Sequence, residues 1–376
     1  MSNILFTGID KDTTLGIDTS SVNVPKDQPF RGFHSIPHIN NDDVHVIHFQ
    51  HDSGGSGESH ATGVRYGYWF AKGNYYVVYD DTLEIYLMRE ERDEQRYQAA
   101  LSDAVSRGLV SEFPRIDEGN VWGQLSSEIT WPMIESITPQ SEDMKCDGTY
   151  AYVETSLVTA EESALLQKTL DVGNSTQPGS YENNAAEGSF SYTPIKFMSR
   201  AAIRPGHEMQ DFHDKSFYLN DVILPQYMHN QWSRYIGELQ YSFLNMLLLG
   251  NYGSSLQWHA MIDLVCRSSA VSTTRMAQLD TLVHAQIEIL PQEYRDTLLS
   301  ETMWQEAMGE SLQHNNMPLT KSALQASGLL PRETDAGTAD TVEWDSDGEG
   351  ARYLNIEGSD SDADDGPVVV SRVTYR

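Results

Sequence analysis

Cysteine is almost missing from this chain, with only Cys146 and Cys266 among 376 residues. Two thiols allow one bridge at most, so a disulfide framework is excluded. Long apolar runs are missing as well. The longest, around Met246–Leu249, is far short of the ~20 residues that span a bilayer. The opening MSNILFTGID has no basic stretch followed by an apolar one, so no secretory signal is expected. The sequon Asn174-Ser175-Thr176 is then accidental, and the expected compartment is cytosol or nucleus. Basic charge is scarce. Lys and Arg number 25 against 55 Asp and Glu, a net of −30. That balance repels phosphate backbones and anionic membranes and favours a basic partner. No Walker loop, GxSxG elbow, GxGxxG or HExxH occurs, so binding is expected rather than catalysis, with no cofactor.

What the chain does have is core material: 39% hydrophobic residues, including 10% aromatics. At ~100–200 residues per domain, two or three domains are expected. Residues 1–90 read as strands. Val44–Phe49, Tyr66–Phe70 and Tyr75–Tyr79 are β-branched and aromatic. Asp80-Asp81 and Lys72-Gly73-Asn74 read as hairpin turns, and 52–63 as a loop. A helix is expected over about Glu91–Arg107, with Tyr97, Leu101 and Val105 on one face and Gly108 as stop. Short helices follow at Val121–Ile129 and after Thr130, with Pro132 in the first turn. Thr159 and Glu162 have capping-box spacing, and 171–189 reads as a linker.

From about 207 the apolar period becomes helical. Expected helices are Asp214–Leu224, stopped by Pro225; one capped by Ser233 and ended by Gly250; one with Ser254 and Gln257 at capping-box spacing; then 274–290, 292–299 and 301–312. The short connection Gly250–Gly253 implies antiparallel packing of its two helices. Twelve acidic residues lie between Glu333 and Asp365, which reads as disorder. The last ten residues, Pro367–Arg376, are β-branched and basic. The expected fold is multidomain α+β. An all-β, sandwich-like domain with a few helices spans 1–153. A helix and linker span 154–198, an all-α bundle or solenoid 199–318, and a tail 319–376.

Few residues invite a chemical role. His45, His48 and His51 form the one metal-like grouping. Strand alternation divides them between two faces, so solvated or core-edge histidines are the simpler reading and a β-sandwich metalloenzyme the weaker alternative. Ser254 is expected as an N-cap. A phosphate there or on Ser255 would add about −1.5 to −2 charges to an exposed helix corner, making a candidate switch. Tyr252 and Trp258 are candidate partner contacts. Ser346, Ser359 and Ser361 each precede an acidic residue by three positions, a substrate pattern for acidophilic kinases; the alternative is an inert solubilising tail. Val368, Val369, Val370, Val373 and Tyr375 are candidates for strand addition to a partner's sheet edge, against a frayed terminus.

Several motifs stand in a specific order. They are Gly16–Asp18, Phe30–Gly32 with Ile36-Pro37, VHVIHFQH at 44–51, RYGYWF at 65–70, Glu90–Asp93, Ser199-Arg200, Ala202–Met209, KSFYLN at 215–220, GELQYSFLN at 237–245 and GNYGSSLQWHAMID at 250–263. Together they resemble the cistron-splicing factor (Aar-two) family, closest to its fungal branch, over roughly residues 5–310. The resemblance implies an assembly chaperone of the U5 small nuclear ribonucleoprotein. Such a protein binds the RNase H-like and Jab/MPN-like domains of the large central spliceosomal protein. It blocks premature helicase and RNA binding, and phosphorylation controls its release. It implies a VHS-like helical domain and a mostly cytoplasmic location with passage into the nucleus. A trafficking adaptor, which VHS-like stacks also serve, is the other alternative. The loop 52–63 is longer than the family pattern, and 171–189 matches nothing in it.

Overall fold

The computed structural model describes residues 1–38, 43–51, 64–113, 121–139, 149–165, 188–297, 302–305 and 317–330. The loop 52–63, nearly all of the linker 171–189, Ser346, Ser359, Ser361 and the C-terminal decamer lie outside the described residues.

The first half builds two five-stranded sheets. The first contains β1 (Ser2–Phe6), β4 (Gly32–Ile36), β7 (Asn74–Asp80), β8 (Ile85–Glu90) and β9 (Ser111–Glu112), in the order β8-β7-β1-β4-β9. The second contains β2 (Thr13–Ile17), β3 (Ser20–Val24), β5 (His45–His51), β6 (Arg65–Phe70) and β10 (Tyr150–Glu154), in the order β10-β6-β5-β2-β3, antiparallel throughout. Alternation sorts β6 cleanly. Tyr66, Tyr68 and Phe70 join Ile47, Phe49, Phe6, Tyr75 and Tyr86 in the core between the sheets. Trp69 points the other way, with Val46, Ala151 and Val153. The outer face of the first sheet is covered by α1 (Glu94–Ser106) through Tyr97 and Ala104.

The outer face of the second sheet is covered by the helical half. Val46, Trp69, Ala151 and Val153 belong to the same buried cluster as α2 (Val121–Ser126), α3 (Trp131–Ile137), α7 (Trp232–Leu249), α8 (Tyr252–Cys266) and α9 (Thr273–Ile289). The layers are therefore α1, sheet, sheet, helices, and one core runs from the second sheet into the helices. Polar bonds cross this seam. The Thr155 hydroxyl donates to the Leu249 carbonyl at 2.6 Å, and Thr138 bonds Tyr241 at 2.6 Å. Gln240 Nε2 donates to the Gln124 carbonyl at 3.0 Å, and its oxygen accepts from the Glu128 amide at 2.8 Å. Arg65 donates to the Tyr294 hydroxyl.

Several expectations need correction. Lys72–Asn74 is not a hairpin turn: β6 and β7 lie in different sheets, so it is a crossover. Val105 faces solvent, and Ala104 takes its place against the sheet, because i, i+4, i+7 follows 3.6-residue winding more closely than i+8. Helix α7 begins at Trp232 with Gln231 as N-cap, not at Ser233. Trp232 stacks on Tyr235, ring centroids 5.0 Å apart, and draws the extra residues into the first turn. The helix does not stop at Pro225. Tyr218–Ile223 is a π-helical run with Leu224 N–H bonded to the Leu219 carbonyl, and α6 (Leu224–Gln226) continues it. A proline fits where the hydrogen-bond register changes and one N–H is dispensable. The tail starts later than 319. α10 (Pro318–Ala326) packs on α9, its first-turn amides of Leu319 and Thr320 donating to the Asp280 carboxylate at 3.1 and 2.8 Å. Other signals match their geometry. The Thr159–Glu162 capping box forms both reciprocal bonds at the start of α4 (helical over 160–165), and Gly250 ends α7 at φ +63°.

Candidate functional site

The site lies where α7 turns into α8. Gly250 adopts the left-handed conformation, which glycine enters without a Cβ clash, and Asn251 follows as the N-cap of α8. The start of α7 meets the end of α8, as Tyr235 OH donates to the Met261 carbonyl at 2.6 Å. The two helices are therefore antiparallel, as the short connection implies.

Asn251 is wholly buried. Its Nδ2 donates to the carbonyls of Leu157, Thr155 and Glu154 at 2.7, 3.1 and 3.3 Å, binding the strand that leaves β10. Its Oδ1 must then be the acceptor. It takes the Ser254 amide at 2.8 Å and the Ser254 hydroxyl at 2.7 Å. With that proton committed, Ser254 Oγ accepts from the Tyr192 hydroxyl, 2.8 Å away. Tyr192 accepts from Asn245 Nδ2 at 3.3 Å, and Asn245 Oδ1 accepts from Trp69 Nε1 at 2.9 Å. The result is one directional chain, Trp69 to Asn245 to Tyr192 to Ser254 to Asn251, from the second sheet to the cap of α8. Burial pushes the Tyr192 hydroxyl well above its usual range, so it stays protonated and keeps donating.

A second buried group lies beside it. The Glu238 carboxylate accepts from the Thr193 amide and hydroxyl at 2.7 and 2.9 Å and from Gln257 Nε2 at 2.8 Å. Burial raises its pKa, against those three donors. It pins the 190–194 strap between α7 and α8.

This arrangement corrects two sequence expectations. Ser254 is neither the cap nor at an exposed corner. Asn251 caps three residues earlier, and Ser254 is 0% exposed; Ser255 is buried too. Trp258 is not a surface contact. Its ring is fully buried against Phe243 and Trp304, and Nε1 donates to Gln286 at 2.9 Å. Tyr252 alone of the folded candidates is on the surface, 55% exposed, with Leu256 exposed one turn later on α8. Helix α4 rests against the same corner. A Cβ at Gly253 would stand 2.6 Å from Glu162 Oε2, and Leu165, one turn beyond Glu162, is also exposed.

Nothing here is wired as a nucleophile. The Ser254 proton goes to an amide oxygen, not a base. His259 Nδ1 donates to the Ser255 carbonyl at 2.8 Å, so it cannot take a proton from the Ser255 hydroxyl; burial lowers the His259 pKa to about 4. The three strand histidines are bound separately. His45 spans the Asp18 carboxylate and the Pro37 carbonyl, both at 2.7 Å. His48 faces the Asp18 carbonyl at 3.1 Å, lying between Gly16 and Gly67 on the neighbouring strands. His51 bonds Thr13 and Tyr66 at 3.1 and 2.9 Å. No cluster of three metal-binding side chains occurs among the described residues.

The sequence reading missed Asn251, Tyr192, Asn245 and Glu238. The signal was present: Glu238, Gln240, Ser242 and Asn245 interrupt an otherwise apolar helix, and polar groups in such a setting are held by partners.

Two family models match the chain: AAR2 N-terminal domain over residues 1–139 and AAR2 C-terminal repeat region over residues 192–334. Among curated proteins, the A1 cistron-splicing factor AAR2 of Saccharomyces cerevisiae (strain ATCC 204508 / S288c) is 40% identical over 327 residues, covering 86% of this chain and 87% of that protein.

Proposed function

The chain belongs to the AAR2 family, and on that premise we propose that it is a pre-mRNA splicing factor acting as an assembly chaperone of the U5 small nuclear ribonucleoprotein. The observation that carries this reading is the match of both halves, in one order, to a protein named as a cistron-splicing factor over most of each chain. In this reading the chain occupies the RNase H-like and Jab/MPN-like domains of the large central spliceosomal protein. It keeps the U5 helicase and RNA away until exchange. It works in the cytoplasm and passes into the nucleus, without catalysis or a cofactor. The helical half serves as a VHS-like scaffold. The net charge of −30 supports a partner that handles nucleic acid, because an acidic cover competes with RNA for a basic surface.

Tyr252, Leu256 and Leu165 supply apolar anchor groups at the corner of α4 and α8. Release by phosphorylation has two routes in this reading. The tail serines sit in acidic context. At Ser254 a phosphate acts by breaking the bonds to Tyr192 and Asn251, which requires the first turn of α8 to open.

Titration of the full chain with each purified domain tests the proposal. Binding of at least one domain is expected, weakened about tenfold by Tyr252→Ala, as for an aromatic anchor. Absence of binding to both domains overturns it.

A further inference from the structure

A second surface, away from the polar chain, unites apolar exposure with positive charge. Met198, Met209 and Phe212 are 68%, 74% and 50% exposed. Met209 and Phe212 lie three residues apart on α5 (Glu208–His213) and share a face. Lys215 Nζ lies 5.5 Å from the Phe212 ring centre and 5.9 Å from that of Phe197, which brings the turn carrying Met198 beside them. The platform is braced. Arg204 donates through Nε and Nη2 to Asp211 at 3.0 and 2.7 Å, and its guanidinium lies 4.5 Å over Phe217.

The patch presents cations in an otherwise acidic chain. Lys196 and Arg200 are exposed, whereas Lys215 is buried and Arg204 is paired with Asp211; of the nearby carboxylates Glu208 is exposed and Asp211 is buried. Asp211 is buried beneath Arg204. Asp214 accepts from Ser216 and Ser269, and Glu208 accepts from the Gly206 amide at 2.8 Å. Lys196 keeps only a 3.7 Å contact with Glu161. Arg200 is exposed and pairs with no carboxylate among the described residues.

We infer that this patch is the docking site of the chain's own acidic segment Val342–Asp347. Trp344 covers Met198, Met209 and Phe212, and Glu343, Asp345 and Asp347 face Arg200 and Lys196. Trp344 is the one tryptophan after residue 331, and it stands in the sequence Val-Glu-Trp-Asp-Ser-Asp. Charge complementarity selects that segment. Reach permits it. At the end of α8, Arg267 O accepts from Lys215 N at 2.8 Å, while the adjacent Cys266 Sγ lies 3.9 Å from Met317 Sδ at the start of α10. The last helix therefore starts near α5, and its nine residues carry the chain about 14 Å farther before Leu330. Trp344 stands fourteen positions beyond Leu330, a flexible span of roughly 20 Å on average and ~45 Å at full extension. Docking makes the tail self-masking: a partner that needs this patch must first displace the segment.

Methionine oxidation reads this directly. The full chain is compared with a full chain carrying Trp344→Ala, Glu343→Gln, Asp345→Asn and Asp347→Asn, under dilute peroxide, with mass mapping of each methionine. At an effective concentration on the order of 1 mM for a tethered segment, even a contact of ~0.3 mM affinity is about three-quarters occupied. Met198 and Met209 should then oxidise about three- to fourfold more slowly in the parent, and the difference should shrink in high salt. Met1, also exposed, is the internal standard and should not change. Equal rates at Met198 and Met209 in both proteins overturn the inference. Protection that grows with protein concentration also overturns it, by assigning the segment to a second copy.

Discussion

Trp69 on β6 donates its indole N–H to Asn245 on α7 across 2.9 Å, so the middle layer of the strand half and the longest helix share a buried hydrogen bond. Asn245→Leu leaves that indole without its acceptor and removes the bond that the Tyr192 hydroxyl accepts, while Tyr192 keeps Ser254. Unmade buried bonds cost about 1–3 kcal/mol each. Urea denaturation should show a loss in that range, with strand and helix signals still melting together because the core is shared. Separate melting of the two halves would contradict the shared core.

Ser254→Ala and Ser254→Glu should part company. Alanine removes one hydroxyl from a satisfied site, at about 1 kcal/mol. Glutamate forces a charge into a buried site whose bonding partners, Tyr192 and Asn251, are uncharged, at about 3 kcal/mol or more. Denaturation midpoints separate them, and partner affinity should follow the same order. Equal midpoints would mean that the first turn of α8 yields freely.

Gly237→Ala tests how closely α7 approaches the strand half. An added Cβ would lie 2.3 Å from the Glu128 carbonyl oxygen and 3.1 Å from Met133 Sδ. Overpacking of this kind costs about 1–3 kcal/mol, despite alanine's better helix propensity. A stabilised variant would refute the close approach.

His45 gives a pH dependence with a definite sign. Burial alone pushes its pKa down, but the Asp18 carboxylate, with the Pro37 carbonyl behind it, outweighs burial and raises it above the usual 6.5. Neighbouring His38 is lowered to about 4, chiefly by burial. Folding thus favours protonated His45. Its contribution is complete below the ordinary histidine range and is lost as pH rises through the folded value. The parent should lose stability as pH rises above the ordinary histidine range, and His45→Gln should flatten that part of the curve. An identical slope in both proteins would remove His45 as the cause.

Asp280→Ala should release α10, whose first-turn amides donate to the Asp280 carboxylate. Limited proteolysis would then cut within 318–330 several times faster, while α7 and α8 stay protected.

Local grammar was readable where the governing groups are close in sequence. Thr159 and Glu162 form their capping box because both bonds fall within one turn. Gly250 could be read as a helix stop for the same reason, and the ordered motifs gave a family resemblance that the 40% identity bears out. Ser254 misled because Asn251, three residues earlier, competes for the same role, and pattern spacing alone does not decide between two good caps. Pro225 misled because a π-turn hides its missing N–H. The crossover at Lys72–Asn74 and the order of strands are set by contacts distant in sequence. So is the polar chain, whose members Trp69, Tyr192 and Asn245 come from three separate stretches.

The shared core also sets an order of events during synthesis. A nascent chain that has reached Glu154 holds every strand of the second sheet and Trp122 of α2 stacked on Trp69, yet the face carrying Val46, Trp69 and Val153 lacks the cover of α7 until Leu249 emerges. At ~5–20 residues per second, that interval lasts on the order of 5–20 seconds. For that time the growing polypeptide presents a half-covered hydrophobic wall beside the ribosome, one that its own later helices complete.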